Sequence, residues 1–418
     1  MPGSDSREVK RRVAVVGGVY RERCRLPYNS DETWGSGGRA AAVIAGLGLE
    51  TTLYTAVDKE TKGLLASLAQ TFQFETVAAK VDVTRQFQYD HALSSPVIWP
   101  PIGQGESVNL SVDEENALVF GMLEARAEVR ANRVVYDPQN PISPEPFKPA
   151  AGSSPRVAYV LNGTEAAKLA QGGNPEEAAR KIAADCSAEV VVVKRGAWGA
   201  LVCEGGRSER IPAYATPRIW PIGSGDVFAA VFAARWAGEG LPAVEAAAQA
   251  SRAAALYVND RVLPIPAESL AASSPFPFSP ILIDEGVALR DGEFHVYLAG
   301  PFFNIAQRWL VEESRLALLG MGLRVFSPLH DVGMGRAHDV APKDIEALKV
   351  SRAVLALVDG LDAGTLFEIG YARSLGRPVV VLAQSTPEEP LKMLTGTSCE
   401  VVSDFVTALY RTAWAARA

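Results

Sequence analysis

A glycine-rich turn near the middle of the chain carries the first residues that could do chemistry. Gly223-Ser224-Gly225 precedes Asp226, and an apolar, alanine-rich run follows from Val227 to Trp236. Glycines on both sides of a serine let backbone N–H groups point into one concavity, and a helix starting there adds its positive dipole end. We therefore predict an anion-binding helix start, with Asp226 placed to take a proton from an attacking hydroxyl during phosphoryl transfer. An ordinary capped helix is the alternative.

A second reactive group is expected in the last third of the chain, where Glu368 lies in the segment Asp362 to Ala372. Gly364-Thr365 can cap a helix, which would place Glu368 near the N-terminal end and keep its carboxylate ionised. An ionised carboxylate at the carboxyl edge of a parallel sheet is a candidate nucleophile. The alternative is a helix-capping glutamate in a Rossmann-like domain.

The elements that must position these residues alternate between strands and helices, which predicts an α/β fold with a parallel, doubly wound sheet. Alternation within Val81–Val83 and Phe87–Tyr89 predicts strands of a small additional sheet. The other strands are predicted at Arg12–Val16, Val134–Tyr136, Glu189–Val193, Phe294–Phe303, Arg324–Pro328, Ala353–Asp359 and Pro378–Leu382. Helices are predicted at Ala40–Gly48, Asn162–Leu169, Pro175–Ala184, Val244–Val258 and Ile305–Leu319.

Length and composition indicate two globular domains in 418 residues, with 48% hydrophobic residues and a net charge of -7. Clustered prolines after Val262 predict a linker over 263–292, between domains at 10–262 and 293–418. The charge gives no sign of a nucleic-acid surface. The four cysteines form no C-x-x-C pair, and no apolar run reaches the roughly 18 residues of a membrane span. We expect reduced thiols, a cytoplasmic location, and neither nucleic acid nor membrane as partner.

The first domain resembles the ribokinase-like (PfkB) carbohydrate and nucleoside kinases over about residues 10 to 265. The turn at Asp226 is similar to the family's Gly-Ala-Gly-Asp signature, with Ser224 in place of alanine. Val191 to Ala200 resembles the strand and nucleotide-side turn, and Asn162 to Glu165 resembles the Asn-x-x-Glu motif. The resemblance implies a ribokinase-like fold that uses ATP and Mg²⁺, with Glu165 near the metal and Asp226 as the base. It implies nucleotide contacts from Gly223, Ser224, Gly225, Lys194, Gly196, Asn162 and Glu165. As an isolated pair, Asn162 and Glu165 fit a helix N-cap and a surface charge.

The sugar side of this resemblance departs from the family. Glu22 matches the acidic residue that contacts sugar hydroxyls, and Gly35 lies in the second sugar-side motif, where Arg39 replaces the usual asparagine. The resemblance therefore implies substrate contacts from Glu22, Gly35 and Arg39. We expect poor activity on ribose and better activity on a nucleoside or on an acidic or phosphorylated sugar. A solvated basic loop is the alternative for the surplus arginines.

The second domain resembles the nucleoside 2-deoxyribosyltransferases over about residues 293 to 415, through Tyr297 to Phe303 and Asp362 to Ala372. The resemblance implies a smaller Rossmann/flavodoxin-like domain without cofactor, in which Glu368 attacks the anomeric carbon and Tyr297 orients it. It implies that Asp362 and Asp344 handle base protons and sugar hydroxyls. Gly300, Pro301, Phe302 and Phe303 would contact substrate.

The same family borrows polar side chains from a neighbouring subunit, so a homo-oligomer is expected. The corresponding segment here, Leu391 to Ser398, has no asparagine, which weakens the case for transfer relative to cleavage. Together the two resemblances imply a bifunctional nucleoside or sugar salvage enzyme acting on a sugar or nucleoside, a nucleobase and ATP. The alternative is a kinase-like half that binds nucleotide without turnover and regulates the other half.

Overall fold

The computed structural model describes residues 11–104, 107–140, 142–283 and 289–417, which form two compact units. The first comprises the described residues up to Thr216 together with Trp220–Pro280, and the second comprises Pro217–Ile219 and the chain from Ile281. No helix in these ranges is long and apolar enough to cross a membrane. Residue 10, residues 284–288 of the expected linker and Ala418 lie outside the described residues.

The proline-rich segment 263–280 packs as part of the first unit, although the sequence assigned it to a linker. Ile265 and Leu270 are buried in the hydrophobic core. The guanidinium of Arg252 donates hydrogen bonds to the carbonyls of Ala271 (2.6 Å) and Ser274 (2.7 Å). Apart from one 3-10 turn, Ala267–Ser269, the backbone here is irregular, but side-chain donors and apolar contacts can still hold such a backbone.

A nine-stranded sheet forms the centre of the first unit, in the order β15-β14-β13-β12-β11-β9-β1-β4-β5. All neighbours are parallel except β13–β14 and β14–β15 at one edge. The strands are β1 (Ala14–Val16), β4 (Thr52–Val57), β5 (Glu75–Lys80), β9 (Asn116–Phe120), β11 (Arg133–Asp137), β12 (Arg156–Asn162), β13 (Val190–Lys194), β14 (Ala200–Glu204) and β15 (Arg207–Ile211). The predicted parallel sheet is confirmed, with two antiparallel strands added.

Two smaller sheets complete the strands of this unit. One has the order β3-β2-β6-β7, and in the other β8 and β10 pair in parallel. The predicted strand at Phe87–Tyr89 lies in β6. The segment Val81–Val83 is not a strand. The Val81 N–H still donates to Val57 O next to the end of β5, and the chain then turns away from the sheet. The ranges are β2 (Arg21–Leu26), β3 (Ser30–Thr33), β6 (Gln86–His91), β7 (Val97–Trp99), β8 (Val108–Asp113) and β10 (Ala125–Arg130).

Helices cover both faces of the large sheet, as in a doubly wound fold. Helices α1, α5 and α6 pack with Val15 and Val192 in one core, whereas α3 and α4 pack with Leu161 and Val193 in another. Helix α1 begins at Gly35, earlier than predicted. The ranges are α1 (Gly35–Gly46), α2 (Lys59–Phe72), α3 (Gly163–Leu169), α4 (Pro175–Asp185), α5 (Ser224–Phe232) and α6 (Ala243–Asp260); a π-helical turn, Ala233–Gly238, follows α5.

The second unit is built on five parallel strands in the order β17-β16-β18-β19-β20. Tyr297 and Ala299 face a core shared with helices α8, α9 and α10, and α11 packs against β18, β19 and α7. The predicted smaller α/β domain is confirmed. The strands are β16 (Phe294–Ala299), β17 (Val325–Phe326), β18 (Ser351–Leu357), β19 (Val379–Leu382) and β20 (Glu400–Val402); the helices are α7 (Ile305–Gly320), α8 (Ala337–Lys349), α9 (Ala363–Ser374), α10 (Glu388–Gly396) and α11 (Phe405–Ala415).

Close backbone packing explains the early start of α1 and gives a testable prediction. A Cβ atom on Gly37 would lie 2.5 Å from Gly17 O, whereas one on Gly63 in α2 would meet no atom within 4 Å. We expect Gly37→Ala to lower the free energy of unfolding by about 1–3 kcal/mol. The control Gly63→Ala should raise it by roughly 0.5–1 kcal/mol, because alanine is the better helix former. Guanidinium unfolding measures both; equal stability of the two variants would contradict this packing.

Candidate active sites

The turn before Asp226 folds into the helix start that the sequence predicts. Gly223 is the N-cap of the nine-residue helix α5. The N–H and Oγ of Ser224 both donate to Pro221 O, at 3.0 and 2.7 Å, so its side chain turns back along the chain. The amides of Gly225 and Asp226 lie in the first helical turn, where N–H groups have no acceptor within the helix. These two amides and the helix dipole are the groups available to an anion, so anion binding here stays a prediction.

Lys194 adds a positive charge beside this helix start. It ends β13, pairs with Asp137 at the end of β11, and its Nζ lies 3.5 Å from where a Cβ on Gly225 would be. Burial opposes protonation, but the carboxylates of Asp137, Glu165 and Asp226 hold the pKa of Lys194 above its ordinary value. The ammonium is therefore a permanent cation next to the helix amides.

Asn162 and Glu165 form the capping box of α3. The Glu165 N–H donates to Asn162 Oδ1 and the Asn162 N–H donates to Glu165 Oε2, both at 2.9 Å. Oε1 of Glu165 takes no part in this box. Gly196, at φ 56°, begins a 3-10 turn after β13. The described ranges contain no group of three or more His, Cys, Asp or Glu that could hold a metal ion. A metal contact by Glu165 therefore stays a prediction.

Arg39 joins the two acids that the sequence analysis assigned to the candidate phosphoryl-transfer site, Glu22 as a sugar contact and Asp226 as the base. Its guanidinium, 1% exposed, donates to Asp226 Oδ2 at 2.6 Å and to Glu22 Oε2, and its Nε donates to the Tyr257 hydroxyl at 3.0 Å. Gln139 Nε2 donates to the other Asp226 oxygen at 2.8 Å. Burial raises the pKa of Glu22, and the charge of Arg39 opposes this shift. The sequence predicted all three residues at the site, with Arg39 as a substrate contact, but not the pairing of Arg39 with both acids.

The buried guanidinium requires a glycine beside it. Gly223 has a φ of 82°, and a Cβ there would lie 2.3 Å from Arg39 Nε. Gly35, at φ 59°, begins α1, and a Cβ there would lie 2.4 Å from Gly18 O. Gly35 O itself lies 3.5 Å from Arg39 Nη1. Both glycines are thus explained by close packing and by backbone conformations that other residues rarely adopt.

The remaining surplus arginines are surface groups. Arg21 and Arg23 both pair with Asp31, and Arg25 pairs with the exposed Asp90; all three arginines lie on β2. The solvated basic alternative therefore fits these three arginines and does not fit Arg39, which is buried in α1.

In the second unit a tyrosine and a glutamate meet above the sheet. Tyr297 is fully buried in β16, and its hydroxyl donates to Glu368 Oε1 at 2.6 Å. The ring is stacked on Phe326 of β17, with centroids 5.5 Å apart. The predicted contact between Tyr297 and Glu368 is thus present, and their catalytic roles stay predictions.

The ionisation of Glu368 differs from the sequence expectation. Helix α9 begins at Ala363 with Asp362 as its N-cap, so Glu368 lies in the second turn rather than near the end of the dipole. Burial raises its pKa to about 7; the Tyr297 hydrogen bond opposes this shift, and the charges of Asp344 and Asp362 add to it. Near neutral pH, both the acid and the carboxylate forms are therefore populated.

The two predicted acids around Glu368 differ in their surroundings. Asp362 Oδ2 accepts from the N–H (2.8 Å) and Oγ1 (3.0 Å) of Thr365, so Asp362, not Gly364-Thr365, caps α9. Asp344 lies in α8, and its buried Oδ1 has no hydrogen-bond partner in the part of the chain that the structure describes. Burial raises the pKa of Asp344. A buried acceptor without a partner fits a group that receives its donor from a ligand.

The predicted substrate loop follows β16 directly. Arg308 Nε donates to Phe302 O at 2.9 Å, and Phe303 N donates to Gln307 Oε1 at 2.9 Å, so helix α7 fixes the loop. Pro301 is buried, and the rings of Phe302 and Phe303 lie 5.4 Å apart. A Cβ on Gly300 would lie 3.1 Å from the Leu357 side chain of β18.

Asp359 organises the same sheet edge and was not among the predicted site residues. Its carboxylate accepts from the amides of Gln384 (2.9 Å), Ser385 (2.9 Å) and Thr386 (3.0 Å) and from the Thr386 hydroxyl (2.9 Å). Burial opposes ionisation, but these bonds lower the pKa of Asp359. An acidic residue just after an apolar strand is the sequence signal for such a role.

Two family models match this chain in separate segments, one of a kinase family and, after it, one of a glycosyl-transferring family. Residues 115–266 match the family model for pfkB family carbohydrate kinases, and residues 296–401 match the model for nucleoside 2-deoxyribosyltransferases. Both families are enzymatic, and their order along the chain confirms the sequence prediction.

Solved structures with a similar backbone fold include two sugar kinases, a fructokinase and a ribokinase. One is a Vibrio cholerae O395 fructokinase with bound fructose, ADP and potassium. The match has 16% sequence identity and a TM-score of 0.47, and it covers 60% of this chain and 93% of the fructokinase. A Thermotoga maritima ribokinase is 16% identical, covering 61% and 94%, with a TM-score of 0.42. A search of curated proteins found no significant match.

The hydrogen bond from Tyr297 makes the pKa of Glu368 testable. Because this bond stabilises the carboxylate, Tyr297→Phe should raise the Glu368 pKa above its value of about 7. We expect a shift of about one pH unit or more. The measurement is a ¹³C NMR titration with [5-¹³C]glutamate, assigned by the signal lost in Glu368→Gln. An unchanged or lowered pKa in Tyr297→Phe would contradict the geometry.

Proposed function

We propose that the second unit cleaves the N-glycosidic bond of a deoxynucleoside, or passes the deoxyribosyl group to another base, through a covalent intermediate on Glu368. The observation that carries this proposal is the 2.6 Å bond from the Tyr297 hydroxyl to Glu368 Oε1. It holds one carboxylate oxygen and leaves the other to attack. The raised pKa suits a nucleophile that must leave again in the second step.

The reaction proceeds by double displacement. A Glu368 oxygen bonds to C1′ as the bond from C1′ to the base nitrogen breaks, and the departing base takes a proton. Asp344 or Asp362 delivers that proton; the raised pKa of Asp344 favours Asp344 as the donor. Water or a second base then attacks C1′, releases Glu368 and restores the starting configuration. The transition state has oxocarbenium character, so a 2′-hydroxyl slows it and deoxynucleosides react faster than ribonucleosides.

Cleavage is better supported than transfer. The segment corresponding to the borrowed polar side chains lies in and just after α10, from Leu391 to Ser398, and contains no asparagine. A homo-oligomer remains part of the proposal. A cytoplasmic location does too, and the four cysteines, all free, fit a reducing compartment.

For the first unit we propose nucleotide binding at the α5 helix start, with phosphoryl transfer to a sugar or nucleoside hydroxyl as its first candidate activity. ATP would supply the phosphoryl group, with Mg²⁺ held by its phosphates and Glu165. A phosphate fits this place because hydrogen-bond donors gather there. They are the backbone N–H groups of Gly225 and Asp226 and the ammonium of Lys194. Asp226 would accept the hydroxyl proton.

Binding without turnover is the second candidate activity, with the nucleotide-bound first unit regulating the second. Arg39 favours it, since the guanidinium holds Asp226 Oδ2 at 2.6 Å and is itself buried. Because Arg39 already pairs with two carboxylates, it is not a free receptor for an anionic acceptor. The expected preference for an acidic sugar gains no support from this geometry, whereas poor use of ribose stays a prediction.

Replacing the nucleophile tests the glycosyl-transfer proposal. Glu368→Ala should abolish base release and base exchange while the fold is retained, because alanine has no carboxylate oxygen to bond to C1′. A 2-fluoro-2-deoxy nucleoside should add one glycosyl mass to the parent protein. Product chromatography and intact-mass spectrometry with peptide mapping measure both effects. The matched control is Glu389→Ala, an exposed glutamate of α10 paired with Lys392, which should keep parental activity. Base release at the parental rate by Glu368→Ala, or an adduct on another residue, would overturn the assignment.

Replacing the candidate base separates the two activities proposed for the first unit. Phosphoryl transfer predicts that Asp226→Asn binds ATP nearly as the parent does but loses at least about two orders of magnitude of acceptor-dependent ADP formation. Binding without turnover predicts that neither protein forms ADP with any acceptor. Calorimetry with ATP and a coupled ADP assay decide between them. Equal, substantial ADP formation by both proteins would contradict both candidates.

A further inference from the structure

We propose that Arg39 occupies the place of the phosphoryl acceptor in the first unit and thereby determines which compounds reach Asp226. The inference rests on the proposed acceptor site beside Asp226. It makes Arg39 a specificity-determining residue, because its N–H groups take the hydrogen bonds that an acceptor's hydroxyls would otherwise donate.

The positions of the two acids define where an acceptor must bind. An acceptor hydroxyl has to lie within hydrogen-bond distance of Asp226, next to the helix amides that would hold the transferred group. Glu22, on strand β2 of the four-stranded sheet, lies next to the same position. Arg39 donates to Asp226 Oδ2 at 2.6 Å and to Glu22 Oε2 from Nη1 and Nη2. A diol would donate its two hydroxyls to the same two carboxylates.

The arginine is built into this position. Tyr257 of α6 accepts from its Nε at 3.0 Å, and the side chain is 1% exposed. The guanidinium fills space that a side chain at residue 223 would need. A Cβ on Gly223 would lie 2.3 Å from Arg39 Nε. The cluster therefore links β2, α1, α5 and α6.

A neutral polyol is a poor competitor for this arginine. To reach Asp226 it must break a buried ion pair, leave the guanidinium with Glu22 and Tyr257 alone, and offer only neutral donors in exchange. An anionic acceptor would add a third negative charge beside Glu22 and Asp226. Shortening Arg39 should remove the obstacle to a neutral polyol, since it frees two carboxylate acceptors and the volume between them. It should not help an anionic acceptor, because the two carboxylates would then have no cation between them.

The test compares the whole parent protein with Arg39→Asn, using ribose, fructose and myo-inositol as probes with and without ATP. Calorimetry measures binding, and a coupled assay measures ADP formation. We expect no saturable polyol binding by the parent, and a gain of at least about tenfold in polyol affinity in the variant from its new bonds to carboxylates. Arg39→Gln, which fills more of the space, should give a smaller gain and replaces Arg39→Asn if that variant does not fold.

Arg252→Gln is the matched control, since Arg252 is also buried in the first unit but donates to the carbonyls of Ala271 and Ser274. It should gain no polyol binding. Binding without ADP formation in Arg39→Asn supports the inference and excludes phosphoryl transfer to these polyols at Asp226. ADP formation by the parent with any of these polyols supports phosphoryl transfer and overturns the inference. The inference also fails if both Arg39 variants are folded, by circular dichroism, and bind none of the polyols.

Discussion

The charge of Arg39 compensates two buried carboxylates at once, and the first unit is arranged around that compensation. Glu22 and Asp226 are 7% and 8% exposed, and a carboxylate buried without a partner costs several kcal/mol. One guanidinium serves both acids because its planar fork can donate in two directions. The positive φ and missing side chain of Gly223 follow from this placement. Residues from four elements thus depend on a single side chain.

The second unit deals with its buried carboxylate differently. Glu368 has a neutral donor, Tyr297, where Asp226 has a cation. A neutral donor orients the carboxylate without fixing its charge, so burial still raises its pKa to about 7. Under the proposed double displacement a moderate pKa suits Glu368, because the ionised carboxylate must attack C1′ and must later leave as a carboxylate. The contrast separates a buried ion pair from a buried group that titrates near neutral pH.

Much of the fold could be predicted from the sequence, because strands and helices here have clear periodicity and apolar runs. The limits of prediction lie where packing overrides local signals. The glycines at Gly35 and Gly37 look like a loop, yet they begin α1 because its backbone packs on Gly17. The prolines at 263–280 look like a linker, yet Arg252 and two buried side chains hold them to the first unit. In each case the deciding contact joins residues that are distant in sequence.

The same distinction holds for the sites. Local motifs were sufficient to propose Asp226, Glu368 and Tyr297, but the pairing between α1 and α5 could not be predicted from the position of Arg39 alone. The most direct test of the central claim is to incubate the whole protein with a panel of deoxynucleosides, without ATP, and to separate free bases by chromatography. Desolvated Glu368 as nucleophile predicts base release that increases as pH rises through about 7. If no deoxynucleoside releases its base at any pH, the account is wrong.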